Sequence, residues 1–244
     1  LYLLSLLDNA SAAVNISAGM GSYANPAFSP DGRRIAVQYA PDPELVWAST
    51  SIVLLDLTTR QQQVIVDSRR LKTSENTETT TVVDRPVWVS DSLLVYVLAE
   101  YSDPESGRMS KSTLYMYDFK KQQHVRIAGG ESYYSAEGEA MGFKAVMPAV
   151  VSEKDRSRSL LFAAVRGATD RAPMKMALPA GNKGVIELND PEFFGPMLYL
   201  DGHWIYGTMN EEGVTGISWR AGEGKEPKQT LNFAGRIIYP AIIR

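Results

Sequence analysis

Asn25-Pro26-Ala27-Phe28-Ser29-Pro30-Asp31-Gly32-Arg33-Arg34-Ile35-Ala36-Val37 is the stretch that decides the fold. Two apolar, strand-like runs flank a Ser-Pro-Asp-Gly turn. Asp31-Gly32 is a tight-turn signal, with Gly32 free to take positive φ. Pro26 opens the first run, a position where a strand need not donate a ladder hydrogen bond. Degraded copies of the unit recur at Pro86-Val87-Trp88-Val89-Ser90, Pro148-Ala149-Val150-Val151-Ser152, Pro196-Met197-Leu198-Tyr199-Leu200 and Pro240-Ala241-Ile242-Ile243. The spacing of about 40 to 60 residues is that of a structural repeat.

A second apolar strand follows each of the first four prolines after a polar turn, at Arg34 to Tyr39, Leu93 to Leu98, Leu160 to Val165 and Trp204 to Thr208. Third strands are expected at Ser51 to Leu57, Thr113 to Phe119, Met174 to Leu178 and Gly216 to Arg220. Fourth strands are expected at Gln63 to Val66, His124 to Ile127, Val185 to Leu188 and Gln229 to Phe233. No stretch carries a sustained helical stripe, and short apolar runs broken by Gly, Pro, Asp, Asn and Ser dominate. A lone four-stranded meander cannot bury both faces, whereas radially stacked meanders can. The expected fold is therefore all-β, a β-propeller of four-stranded antiparallel blades. About five blades are represented, and five to seven are expected in a full protein.

Blades are expected at about 25–67, 85–128, 147–189 and 195–234, in a single domain over 1–244. A closing blade would come from 1–18 and 237–244, because Leu1 to Leu6 resembles the third strand Ile52 to Leu57. The sequence opens and ends inside strand-like runs and has no initiating Met, so it reads as a piece of a longer protein. Leu1 to Leu7 is short and lacks a basic flank, and does not read as a signal peptide.

The 244 residues carry a net charge of −3, with 44% hydrophobic and 22% charged residues, ordinary values for a globular protein. That charge argues against a nucleic-acid binder or a polybasic membrane anchor. No Cys is present, which excludes disulfides, thiolate metal sites and Cys nucleophiles. No apolar run approaches the ~20 residues of a membrane-spanning helix. No phosphate loop, dinucleotide fingerprint or Gly-x-Ser-x-Gly elbow occurs. His124 and His203, the only two histidines, fall on an outer strand and beside a tight turn, and read as surface residues. Glu137 and Glu139 have no acid–base companion. No catalytic residue, metal site or cofactor is expected.

Pro26 to Ala36, a Pro-x-Phe-Ser-Pro-Asp-Gly-x-x-Ile-Ala pattern, resembles the blade signature of TolB-like propellers. Leu114-Tyr115-Met116-Tyr117-Asp118-Phe119 with His124-Val125-Arg126-Ile127 resembles the second half of such a blade. The signature is shared with the propellers of prolyl-oligopeptidase-type peptidases and of oligogalacturonate lyases; the lyase metal site draws on several histidines, which this sequence lacks. The resemblance implies a propeller scaffold and leaves function open.

In that scaffold, turns between strands one and two and between three and four lie on one face. Here they are short and basic, with Arg33, Arg34, Arg60, Lys120 and Lys121. The opposite face receives longer segments, Ala40 to Thr50, Ser68 to Val82, Glu100 to Ser112 and Gly129 to Lys144, and long loops on a rigid frame commonly bind. They carry aromatics beside acids, with Asp42, Glu44, Trp47, Tyr101, Tyr133 and Tyr134; the connection ending in Phe193 and Phe194 joins them. Exposed aromatics are typical interface anchors, so these eight residues are the candidates for contact with a protein or peptide partner. The polar stretch Lys72 to Thr81 is either a recognition arm or a plain insertion.

The expected function is a non-catalytic module for protein–protein contact, in a bacterial envelope (periplasmic or otherwise extracytoplasmic) or as the sensory or interaction domain of a larger protein. No nucleic acid and no direct membrane insertion are expected. The alternative is the substrate-access propeller of a prolyl-oligopeptidase-like serine peptidase whose catalytic domain lies outside this sequence.

Overall fold

The computed structural model describes residues 2–3, 14–16, 21–42, 50–71, 79–103, 108–137, 139–152, 157–167, 170–178, 186–188, 190–200, 202–210, 212, 214–221 and 228–233. Their regular structure is β-strand apart from one short 3-10 turn, Ser68–Arg70. Four antiparallel sheets follow one another along the sequence, and in each the strands are adjacent in sequence order. This is the blade arrangement of a β-propeller. Trp47, Glu44, most of 72–79 and the closing segment 237–244 lie outside the described residues.

The protein divides into two compact units, Leu1–Lys111 with Tyr115–Val125, and Ser112–Leu114 with Arg126–Arg244. The first unit contains the pair β1 (Tyr2–Leu3) and β2 (Val14–Asn15). It also contains the sheet β3 (Ser22–Phe28), β4 (Arg34–Ala40), β5 (Ser51–Asp56) and β6 (Gln62–Asp67). The next sheet is β7 (Thr80–Ser90), β8 (Leu93–Asp103), β9 (Arg108–Asp118), β10 (Gln123–Tyr134) and a short fifth strand, β11 (Ala140–Gly142). Its last portion belongs to the second unit, with the sheets β12 (Lys144–Ser152), β13 (Arg158–Arg166), β14 (Asp170–Leu178), β15 (Ile186–Glu187) and β16 (Phe193–Leu200), β17 (His203–Met209), β18 (Thr215–Ala221), β19 (Gln229–Phe233).

The inner strands are buried on both faces, which is why they read as unbroken apolar runs rather than alternating ones. In the first unit, Ile35, Val37, Val53 and Leu55 form one cluster on one face of the β3–β6 sheet. Ala36, Ile52, Leu54 and Val66 join Val83, Trp88, Leu94, Tyr96 and Leu98 in a second. Period-two geometry sends neighbours such as Ile35 and Ala36 to opposite faces. In the second unit, Leu161 and Ala163 pack with Phe193, Met197, Trp204 and Tyr206.

Each of the four described repeat prolines stands at a register break in the first strand of its sheet. The pairing shifts between Ala24 and Ala27, Asp84 and Val87, Val146 and Ala149, and Phe193 and Met197. The residue before the proline has positive φ in three of them: Asn25 at 51°, Arg85 at 49° and Met147 at 54°. Each break leaves residues outside the ladder, one at the first three and two at the last, so a proline there costs no strand hydrogen bond. The repeat phase seen in the sequence is the phase of this bulge.

Buried hydroxyls repeat with it. Thr50 Oγ1 donates to Val83 O at 2.7 Å and accepts from Val83 N at 2.8 Å. Ser112 Oγ donates to Ala145 O at 2.7 Å. Val83 and Ala145 each stand just ahead of a bulge, so a side chain holds the backbone where the ladder is about to break. Gly129 permits the close approach near Ser112: its φ is +84°, and a Cβ there would lie 2.5 Å from Ser112 O.

Two of the long segments expected as loops are mostly strand. Pairing runs out to Thr80↔Tyr101 and continues as Ser132↔Gly142, Tyr133↔Met141 and Tyr134↔Ala140. Glu100 is held across the sheet by Lys111 at 3.3 Å, and Ser110 Oγ donates to Glu100 O at 3.0 Å. The Ser, Thr and Tyr content that reads as polar loop is also good strand composition when both neighbours pair.

Candidate functional site

The residues expected to bind a partner divide into distinct environments. Asp42 is exposed just beyond β4. Tyr101 is half-buried on β8, and burial pushes its phenol up from the ordinary range. Tyr134 is on β10 opposite Ala140. Tyr133, also on β10, is 57% exposed, and its cross-strand neighbour Met141 is 42% exposed. The two therefore make an apolar pair on the β10–β11 hairpin. Ser135 shapes that hairpin's turn: its N–H donates to Glu139 O at 2.8 Å, and its Oγ accepts from Glu137 N at 3.2 Å. Glu137 and Glu139 are exposed turn residues.

Phe193 is not a surface aromatic. It is 4% exposed and packs 5.9 Å from the Tyr206 ring within the core of the second unit. Phe194 is half-buried, with the Arg171 guanidinium 5.1 Å from its ring centre and Arg171 Nη1 donating to its carbonyl at 2.9 Å. β16 begins at Phe193, earlier than expected, and the strand carries the Phe193 ring into the core. Arg34, at the end of the signature turn, reaches across to the corresponding turn of the next sheet. Its guanidinium lies 4.9 Å from the Trp88 ring and 5.4 Å from the Phe119 ring, and Nη2 donates to Asp91 O at 2.7 Å.

The signature turn itself is internally satisfied. Ser29 Oγ donates to Asp31 Oδ1 at 2.5 Å and accepts from Arg34 N at 2.9 Å, and Arg33 N donates to Asp31 Oδ1 at 3.0 Å. These bonds hold the Asp31 carboxyl below its usual range, led by the Ser29 hydroxyl. Asp31 N in turn donates to Asp91 Oδ1 at 3.1 Å, in the corresponding turn of the next sheet.

The most buried charge cluster is also a brace. Asp190, with a side chain 1% exposed, accepts from Tyr206 Oη at 2.6 Å and faces Lys228 Nζ at 3.3 Å and Arg220 Nη2 at 3.5 Å. Lys228 also pairs with Glu192. Two acids meet two bases, so the cluster is neutral and has no charge left for a ligand. Burial, then the Asp190 bond, pushes the Tyr206 phenol up, so it remains a donor.

A concave site lies on the first unit, where the sequence marked none. A cavity of about 380 Å³ is lined by Val64, Ile65, Val66 and Asp67 of β6, by Arg69, Arg70 and Leu71 after it, and by His124 of β10. Asp67 binds its neighbour Arg69 in two-pronged fashion, Nε to Oδ1 at 3.0 Å and Nη2 to Oδ2 at 2.8 Å. Those bonds hold the Asp67 carboxyl down and the Arg69 guanidinium up. The His124 ring lies 4.7 Å from Tyr117 and meets Tyr96 edge-on at 5.9 Å. His124 Nδ1 is 3.0 Å from Tyr96 Oη. Burial holds the imidazole pKa below its ordinary value and pushes the Tyr96 phenol up. A fixed phenol proton needs an acceptor, so Tyr96 donates to Nδ1 and the neutral imidazole carries its own proton on Nε2. In the sequence His124 reads as a plain surface residue because its partner, Tyr96, is 28 positions away.

Among the described residues no group of three or more His, Asp or Glu could hold a metal ion. No described helix is long and apolar enough to cross a membrane.

No protein-family profile matches the sequence, and no curated protein matches it. Solved structures do share its fold. A puromycin-hydrolysing peptidase of Mycobacterium tuberculosis is similar at 13% identity and a TM-score of 0.60, over 92% of this chain and 31% of that one. A prolyl endopeptidase is similar at 15% identity and a TM-score of 0.52, over 87% of this chain and 28% of that one. TolB from Acinetobacter baumannii matches at 12% identity and a TM-score of 0.40, over 92% of this chain and 57% of that one. At such identities the likeness is one of fold. The protein spans under a third of the two peptidases' length and 57% of TolB's.

Proposed function

We propose that this propeller is a non-catalytic binding module that holds a protein partner, extracytoplasmic in a bacterium or as the interaction domain of a larger protein. The observation that carries the reading is the β10–β11 hairpin. It extends a blade by a fifth strand and exposes Tyr133 opposite Met141, an aromatic and a thioether on a rigid ladder. Tyrosine is enriched among the residues that anchor interfaces, and methionine adapts its shape to a partner surface. Asp42, Tyr101 and Tyr134 remain candidate contributors to the partner surface, as do Trp47 and Glu44. The resemblance of the Pro26 to Ala36 signature to TolB-like blades favours the envelope setting.

The test is a photo-crosslinking amino acid placed at position 133 of the full-length protein in its own cells. A discrete protein adduct, lost when Met141→Glu is added, is the expected result. No adduct at that position overturns the reading.

A second reading is favoured by the fold shared with the two peptidases. In it the propeller screens access to a serine peptidase domain carried elsewhere in the same protein. Cleavage of a fluorogenic proline-containing peptide by the full-length protein, blocked by a serine-directed inhibitor, would decide for it.

A further inference from the structure

The cavity beside β6 has the donors, charge and apolar surface of a ligand site. β6 is the last strand of its sheet, so its outer backbone groups are not used by the ladder. Its pairing shifts between Ile52↔Val66 and Val53↔Val64, which leaves Ile65 as the extra residue of a bulge. The bulge breaks the alternation of side chains, and Val64, Ile65 and Val66 all line the cavity. Val64 is 54% exposed. Val66 belongs to the core beneath, so Val64, Ile65 and Leu71 form the accessible aliphatic surface at the sheet's own edge.

The polar side is equally defined. Asp67 and Arg69 neutralise each other. Arg70 has no hydrogen-bond or ion-pair partner among the described residues, and it is exposed. His124 is neutral and offers its Nε2 proton, because Tyr96 occupies Nδ1. The cavity thus carries one net positive charge and one further donor. That matches a single carboxylate; a phosphate dianion would be left half-neutralised.

We propose that this cavity binds a peptide segment through one carboxylate set beside an aliphatic side chain, the carboxylate meeting Arg70 and His124 and the aliphatic group meeting Val64, Ile65 and Leu71. Either a free peptide C-terminus or an Asp or Glu side chain can supply the carboxylate. The inference rests on the binding-module reading and adds to it the chemical class of the ligand.

The test follows the methyl resonances of Val64, Ile65 and Leu71 and the His124 ring by NMR during titration of the 244-residue protein. Four probes are used: N-acetyl-Gly-Leu with a free C-terminus, N-acetyl-Leu-Glu-amide, N-acetyl-leucinamide and acetate. Saturable shifts with either of the first two are expected, and which of them binds identifies the carboxylate source. Binding at least about tenfold weaker is expected for the leucinamide and for acetate, since each lacks one half of the match. Arg70→Gln, an exposed change, is expected to weaken the carboxylate probes about fivefold or more at unchanged melting temperature. Equal affinity for the leucinamide, equal affinity for acetate, no shift at these groups, or no effect of Arg70→Gln overturns the proposal. If the probes fail while the adduct at position 133 persists, only the cavity assignment falls; if both fail, the binding-module reading falls with it.

Discussion

The side-chain amide of Asn25 donates to Asp84 Oδ1 at 2.6 Å and to Gln38 Oε1 at 3.0 Å. It thereby ties the bulge before Pro26 to the one before Pro86. Asn is one of the few non-glycine residues that tolerates the positive φ found there. Asn25→Ala removes the bonds and strains the backbone. It is expected to lower unfolding stability by about 2 kcal/mol in urea titration, and Asn25→Gly by less, since glycine accepts that φ. An alanine variant as stable as the parent would show that the bulges are held by other contacts.

Phe193 and Tyr133 are equivalent candidates in the sequence, and the structure separates them. Phe193→Ala opens a hole in the core of the second unit and is expected to cost about 3–5 kcal/mol. Tyr133→Ser is expected to stay within about 0.5 kcal/mol of the parent while abolishing the proposed partner contact. Denaturation curves for the two variants, read beside crosslinking, check both halves.

Asp190 is buried between Tyr206, Lys228 and Arg220. Asp190→Asn keeps the shape and deletes the charge that two cations face. A loss of about 3 kcal/mol is expected, because a buried charge without its partner is costly. Urea midpoints measured on the whole protein test this, and a neutral result would mean that water reaches the cluster.

Burial favours the neutral form of His124, so its folded pKa lies below the unfolded value of about 6.5. The associated stability is present above that value and is lost as pH falls through the folded pKa. The groups that face the ring are Tyr96, Tyr117 and, across the cavity, Asp67, Arg69 and Arg70. The lowered carboxyls of Asp31, Asp56 and Asp67 act lower, below their ordinary 3.8. Between about pH 7 and 5 the parent is therefore expected to lose stability that His124→Gln does not. Parallel slopes for the two proteins would remove His124 as the cause.

The signature Pro26 to Val37 was legible in the sequence because its bonds are local: Ser29, Asp31, Gly32, Arg33 and Arg34 satisfy one another within six positions. The apolar runs of β4, β5 and β13 were legible because burial on both faces selects apolar residues at successive positions. The extent of β8 to β10 was not, since Ser- and Thr-rich sequence becomes strand only when a neighbour is present to pair.

By itself, then, the sequence determined a repeated four-stranded β unit, its phase and its tight turns, all of which rest on short-range pattern and turn chemistry. Only the tertiary structure decided that the repeat prolines mark bulges, that Phe193 is buried, that Arg34 lies over Trp88, and that His124 meets Tyr96 beside Arg70. These depend on register and on residues far apart in the sequence, and a one-residue shift in register moves a side chain to the other face of its sheet.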